Sequence, residues 1–156
     1  MIEVAVPGFK NLALEYLVLD YNGTLAVDGM LVEGVKTCLS SLSDKLKIHV
    51  LTADTFGKVR SGMQGVACDV TILPPGNQAK GKLAFIQELG PEHVAAGGNG
   101  RNDRLMIKEA ALGFSVILEE GVAAETLMSS DVVFSGIVQA LEFLNNPLRM
   151  IATLRS

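Results

Sequence analysis

An aspartate at the end of an apolar run is the residue in this chain best placed for chemistry. In Leu17-Val18-Leu19-Asp20-Tyr21-Asn22-Gly23-Thr24-Leu25, a carboxylate follows a buried-strand pattern. A glycine-containing turn comes next, with a hydroxyl four residues on. Such a strand fixes the backbone and the turn exposes amide N–H groups that can receive phosphate oxygens, so the carboxylate can act as a nucleophile toward phosphorus. Aspartate at a strand end also serves as a turn former, so its meaning depends on what else the chain supplies.

Three later segments supply partners in order. Leu51-Thr52-Ala53-Asp54-Thr55 carries a hydroxyl that can bond a phosphoryl oxygen, ahead of a helix with free amides. Simple N-capping by Asp54 or Thr55 explains that segment equally well. Lys80 and Lys82 enter the next long helix, and either ammonium could neutralise both the aspartate and a transferring phosphoryl group. Gly97-Gly98-Asn99-Gly100-Arg101-Asn102-Asp103 follows. Its glycines let the backbone approach an ion, and Asn99, Asn102 and Asp103 offer oxygens suited to Mg²⁺. Arg101 sits within this loop, beside the expected phosphate.

The elements that must position these groups alternate between short apolar strands and longer helical stretches, the pattern of a doubly wound α/β sheet with helices on both faces. Strands are expected over 2–6, 13–20, 47–52, 68–73, 93–96, 113–117 and 131–134. Helices are expected over 33–46, 56–63, 78–89, 102–111 and 137–144. Asp28-Gly29 between two short apolar triplets predicts a small β-hairpin. The tail from Leu148 to Arg155 mixes apolar and basic residues, either as an added packed element or as a self-association surface. Ligands of such sheets bind beyond the carboxyl ends of the strands, where Asp20, Thr52 and Asn99 all fall.

A chain of 156 residues reads as one domain with its own core. At 49% hydrophobic and with no tryptophan, that core must be built from Val, Leu, Ile and Ala, which suits buried parallel strands. A net charge of −4 and the absence of a basic run argue against a dedicated nucleic-acid binder or a membrane-surface protein. Cys38 and Cys68 are isolated and read as buried, reduced thiols. No signal peptide or spanning segment is visible, so a soluble cytoplasmic protein is expected.

Together the four segments resemble the haloacid dehalogenase superfamily of aspartate-nucleophile phosphotransferases, over nearly the whole chain. The family's first motif, Asp-x-Asp-Gly-Thr, falls on Asp20, Asn22, Gly23 and Thr24. Its Ser/Thr motif falls on Thr52, its lysine best on Lys82, and its Gly-Asp-Gly-x-Asn-Asp motif on Gly98 to Asp103. The stretch from Asn99 through Gly113 looks like the phosphorylation domain of P-type ATPases, without their membrane part. The resemblance implies catalysis by Asp20, Asn22, Thr52 and Lys82. It implies substrate contacts at Gly23, Thr24, Ala53, Gly98 and Arg101, and Mg²⁺ held near Asp20, Asn22, Asn99 and Asp103.

Two family aspartates are asparagines here, at positions 22 and 99. In the family's phosphatases the first of these protonates the leaving group and then deprotonates water, which an amide cannot do. Slow hydrolysis of a phosphorylated Asp20 is therefore expected, and Asn99 weakens the metal site by one charge. A phosphate- or phosphoprotein-binding module with this fold is the competing reading. The gaps between motifs hold no lid domain, leaving the hairpin as the only flap. The open site suits a large phosphorylated substrate, or closure by a second copy in a homo-oligomer.

Overall fold

The computed structural model describes residues 1–156. Its framework is a six-stranded sheet in which every neighbouring pair runs parallel. In chain order the sheet strands are β3 (Tyr16–Leu19), β6 (Lys47–Thr52), β7 (Asp69–Ile72), β8 (Val94–Gly98), β9 (Leu112–Val116) and β10 (Val132–Phe134). Across the sheet the order is β10-β9-β8-β3-β6-β7. The chain thus builds outward from β3 in one direction, then returns to build from its other side. The seam between β3 and β8 is the switch point, where such sheets open a crevice at their carboxyl end.

Period-two alternation within each strand divides the core between the two faces. Leu17, Leu19, Ile48, Val50 and Ala95 join a cluster of 28 buried residues on one side. Val18, Leu51, Val94 and Ala96 join a cluster of eight on the other. The larger cluster is covered by α1 (Val35–Ser43) and α6 (Ile137–Asn145), the smaller by α3 (Gln78–Leu89) and α4 (Arg104–Glu109). Burying a leucine such as Leu17 or Leu19, both wholly enclosed, contributes about 1.5–3 kcal/mol each. That holds the strand ending in Asp20 rigid.

Residues 13–20, expected as one strand, are two. β1 (Ile2–Ala5) and β2 (Asn11–Leu14) form their own antiparallel pair, and the chain enters β3 only after Glu15. Backbone bonds from Glu15 to His93 and Lys47 already belong to the neighbours of β3, so Glu15 is the joint between the two sheets. The hairpin forms as expected, from β4 (Ala26–Val27) and β5 (Met30–Leu31). Asp28 and Gly29 both take positive φ, as a type I′ turn requires.

Residues 56–63 give only a one-turn helix, α2 (Val59–Gly62). One helix was not anticipated, and the tail takes the added packed element of its two readings. α5 (Ala124–Met128) precedes β10, and α7 (Pro147–Leu154) occupies the ambiguous tail, burying Met150 against the larger cluster. The thiols of Cys38 and Cys68 are free and half-buried, and burial raises the pKa of both. No helix is long and apolar enough to cross a membrane.

Candidate active site

Asp20 leaves β3 with its N–H still bonded to the Gly97 carbonyl at 3.0 Å, so the sheet ladder runs up to the carboxylate. Its Oδ1 lies 2.7 Å from Lys82 Nζ, and the same ammonium lies 2.6 Å from Asp103 Oδ1. Lys82 and Asp103 are wholly buried, while Asp20 is 8% exposed. Lys82 reaches this position because Ala79, Lys82 and Ile86 form the buried stripe of α3. Lys80 lies on the exposed face. Burial alone would lower the Lys82 pKa, but the two carboxylates outweigh it and push it up. Burial, then the like charge of Asp20, pushes the Asp103 carboxyl up to about 6. Lys82 and the Gly100 amide oppose this, so the group stays ionised at neutral pH.

The resemblance also puts Asp103 near the Mg²⁺, and in the fold both of its oxygens already hold hydrogen bonds. Oδ1 is engaged by Lys82, while Oδ2 accepts N–H groups from Asn99 at 3.0 Å and Gly100 at 2.9 Å. Both oxygens are committed to holding the loop and the lysine. Gly98 is the last residue of β8 rather than part of an open loop. A Cβ there would strike the Asp103 carboxylate, so this glycine makes room for the buried anion.

Thr24 is fully buried, with its hydroxyl 3.2 Å from Asn99 Oδ1 and 3.4 Å from Asp20 Oδ2. It has one proton to give, and the shorter contact favours Asn99. Gly23 takes φ +78°, and a side chain there would collide with Asn99. The Gly23 and Thr24 amides, expected to receive phosphate, instead bond the Ala26 and Tyr21 carbonyls within the turn. The amides of Asn22 and Ala53 make no hydrogen bond within the protein, and both residues line the cavity at Asp20.

That cavity holds about 230 Å³ and is walled by polar groups, among them Asp20, Asn22, Thr52 and Asn99. Thr52 is buried, and its oxygen accepts the Asp54 N–H at 3.0 Å, leaving its own O–H free to donate. Asp54 accepts the Val59 N–H at the start of α2, so the capping role falls to Asp54, while Thr52 lines the cavity. Arg101 is not part of this wall. It is 70% exposed, and its Nε donates to Glu125 Oε1 at 3.0 Å. With Arg104 and Asn102 it lines an adjoining cleft of about 340 Å³. Gln78 and Glu120 line the Asp20 cavity without having been singled out in the sequence, and Thr55, named there only as a helix-cap candidate, lines it too. The carboxyl-end rule, applied to the loop after β9, was the available signal for Glu120.

No three His, Cys, Asp or Glu side chains gather as a metal cluster. A smaller set of hard oxygens does fit a magnesium ion. Asp20 supplies a carboxylate, Asn99 an amide oxygen, and Asn22 Oδ1 is buried with no partner at all. Mg²⁺ is commonly bound by one or two carboxylates, its other positions filled by water and substrate phosphate.

No family model matches the chain. It is 42% identical over 84 residues to the uncharacterised protein MJ0073 of Methanocaldococcus jannaschii, covering 90% of that protein and 51% of this chain. The uncharacterised protein MJ0072 of the same organism is 49% identical over 39 residues, with 89% of it and 25% of this chain covered. Among solved structures, a 3-deoxy-D-manno-octulosonate 8-phosphate phosphatase from Moraxella catarrhalis, in complex with magnesium, phosphate and KDO, aligns at TM-score 0.68 and 19% identity. The alignment covers 91% of this chain and 94% of that one. The cobalt-bound octulosonate 8-phosphate phosphatase of Haemophilus influenzae aligns at TM-score 0.65 and 15% identity, covering 90% and 91%. A candidate subfamily III A hydrolase of the haloacid dehalogenase superfamily from Legionella pneumophila aligns at 0.69 and 14%, covering 90% and 87%. The chain has the haloacid dehalogenase fold and belongs to one family with MJ0073 of Methanocaldococcus jannaschii.

Proposed function

We propose that this chain is a Mg²⁺-dependent phosphohydrolase that works through an aspartyl-phosphate on Asp20. The observation carrying this reading is the buried Asp20–Lys82–Asp103 triad at the floor of a polar cavity on the sheet's switch point. A binding module has no need of a carboxylate held against a fully buried ammonium. Lys82 engages Oδ1, which leaves Oδ2 as the oxygen to attack phosphorus. The Thr52 hydroxyl and the free amides of Asn22 and Ala53, all from residues lining the cavity, are taken as the donors to the phosphoryl oxygens. Bound Mg²⁺, held by Asp20, Asn22 and Asn99, would offset the negative charge of the phosphate as charge develops on the leaving oxygen. The solved phosphatases with magnesium or cobalt bound support a divalent ion here. We place the reaction in the cytoplasm, where the free thiols of Cys38 and Cys68 stay reduced.

Asn22 stands beside the nucleophile and cannot move a proton. Position 22 thus supplies none of the about 10²–10⁴-fold that general acid–base assistance is typically worth, and breakdown of the phosphoenzyme is slower than an aspartate there would allow. Asn22→Asp is expected to raise steady-state hydrolysis of an aryl phosphate in Mg²⁺ by at least about tenfold. An unchanged or lower rate in that variant counts against the reading.

A further inference from the structure

The cavity at Asp20 has a second carboxylate. Of the ten residues lining it, only Asp20 and Glu120 carry ionisable side chains; Lys82 and Asp103 lie buried beneath. With Asp20 as the nucleophile, Glu120 is the one group on the wall able to give or take a proton. We propose that Glu120 is the general acid–base of this site, supplying from the loop after β9 the carboxylate that position 22 lacks. The inference rests on the aspartyl-phosphate reading.

The asparagine at position 99 has a direct part in this arrangement. Asn99 Nδ2 donates to the Gly121 carbonyl at 3.0 Å, and the Asn99 carbonyl accepts the Ala123 N–H at 2.9 Å. Both bonds pin the segment carrying Glu120 against the cavity. An aspartate at 99 has no N–H to offer, and its oxygen would face the Gly121 carbonyl instead. The amide therefore gives up charge at 99 and holds a loop that returns a carboxylate at 120. On its other side, Glu120 Oε1 accepts the Asp28 N–H of the hairpin turn at 3.2 Å. Oε2 is left without a partner, and the side chain is exposed, so it can exchange protons with water.

The steps balance. As Asp20 Oδ2 bonds to phosphorus, the bond from phosphorus to the leaving oxygen breaks, and protonated Glu120 gives that oxygen its proton. Glu120, now a carboxylate, then takes a proton from water while the water oxygen bonds to phosphorus. The bond from phosphorus to Asp20 breaks, releasing inorganic phosphate and restoring both carboxyl groups.

Glu120→Gln keeps an oxygen for the Asp28 N–H and removes only the proton chemistry. Its effect should depend on the leaving group, which a purely structural role would not. Hydrolysis of an alkyl phosphate is expected to fall about 10²-fold or more. Phosphorylation by acetyl phosphate, whose leaving group needs no proton, should change less than about threefold, while breakdown of the phosphoenzyme slows and label accumulates. That breakdown rate can be read whether or not alkyl esters are turned over. Adding Asn22→Asp to the Glu120→Gln variant should restore breakdown. Equal losses on both donors, or unchanged breakdown, overturn the assignment of Glu120 alone. A wild type that takes no label from acetyl phosphate overturns the aspartyl-phosphate reading, and this inference with it.

Discussion

At the scale of single residues, the site depends on a cation that has no access to water. Lys82 is wholly buried between two carboxylates, one fully enclosed and one nearly so. Removing one member of such a group leaves charge stranded in a poorly polarisable interior, at a cost of about 3–5 kcal/mol. Lys82→Met is therefore expected to lower unfolding stability by that amount at neutral pH, measured by urea titration. Asp103→Asn in the same chain should recover part of it. A loss below about 1 kcal/mol would mean that the ion pairs are solvated rather than buried. Asp20, Thr52 and the asparagine substitutions at 22 and 99 were legible as residue types at motif spacing. The choice of Lys82 over Lys80 was not settled by the helix pattern itself, because a lysine on a core stripe is tolerated only once Asp20 and Asp103 arrive from other segments. Arg101 misled for the reverse reason. Its loop is at the site, but its side chain turns outward to Glu125.

At the scale of elements, the parallel strands and the long helix α3 were readable because apolar periodicity and turn residues agree. β6 and α3 fall on the expected spans, and the Asp28-Gly29 hairpin forms. The break of residues 13–20 at Glu15 was not readable. Leu12, Leu14, Leu17 and Leu19 are all buried, and only pairing partners reveal that two sheets share them. The hairpin is fixed to the site from below as well as from the side. Tyr21, next to Asp20, is fully buried and donates its hydroxyl to the Gly29 carbonyl at 3.1 Å. The flap, the turn after Asp20 and the Glu120 loop therefore form one hydrogen-bonded rim around the cavity. In sequence, Glu119-Glu120-Gly121 is marked only by its place after a strand's carboxyl end; the bonds that draw it into the rim come from Asn99 and Asp28, distant in sequence.

At the scale of the whole molecule, the sheet separates two buried clusters and brings the chemistry to one end of it. The smaller cluster borders a group whose protonation affects the fold. His49, on β6, is 6% exposed, its ring packed edge-on to Phe85 at 5.2 Å, and its Nε2 has no partner. Burial lowers its pKa from 6.5, against the opposing pull of Asp69 3.7 Å away and with a small push from Lys47. The unfolded ring takes up its proton as pH drops below about 6.5, while the folded ring does so only at lower pH. Unfolding thus gains a proton in that window, and stability contributed by neutral His49 is present above it and lost as pH falls. Wild type should lose stability more steeply than His49→Phe between pH about 6.5 and 5, by chemical denaturation at each pH. Parallel curves would show that the ring is hydrated.

The central claim is that Asp20 forms a covalent bond to phosphorus, and the most direct measurement is to trap that bond. The protein is incubated with labelled acetyl phosphate and Mg²⁺, quenched in acid, digested and mapped. The expected result is an acid-stable, hydroxylamine-labile phosphoryl group on the peptide containing Asp20, absent in Asp20→Asn and more persistent in wild type than in Asn22→Asp. No label on wild type, or a label that survives Asp20→Asn, would contradict it.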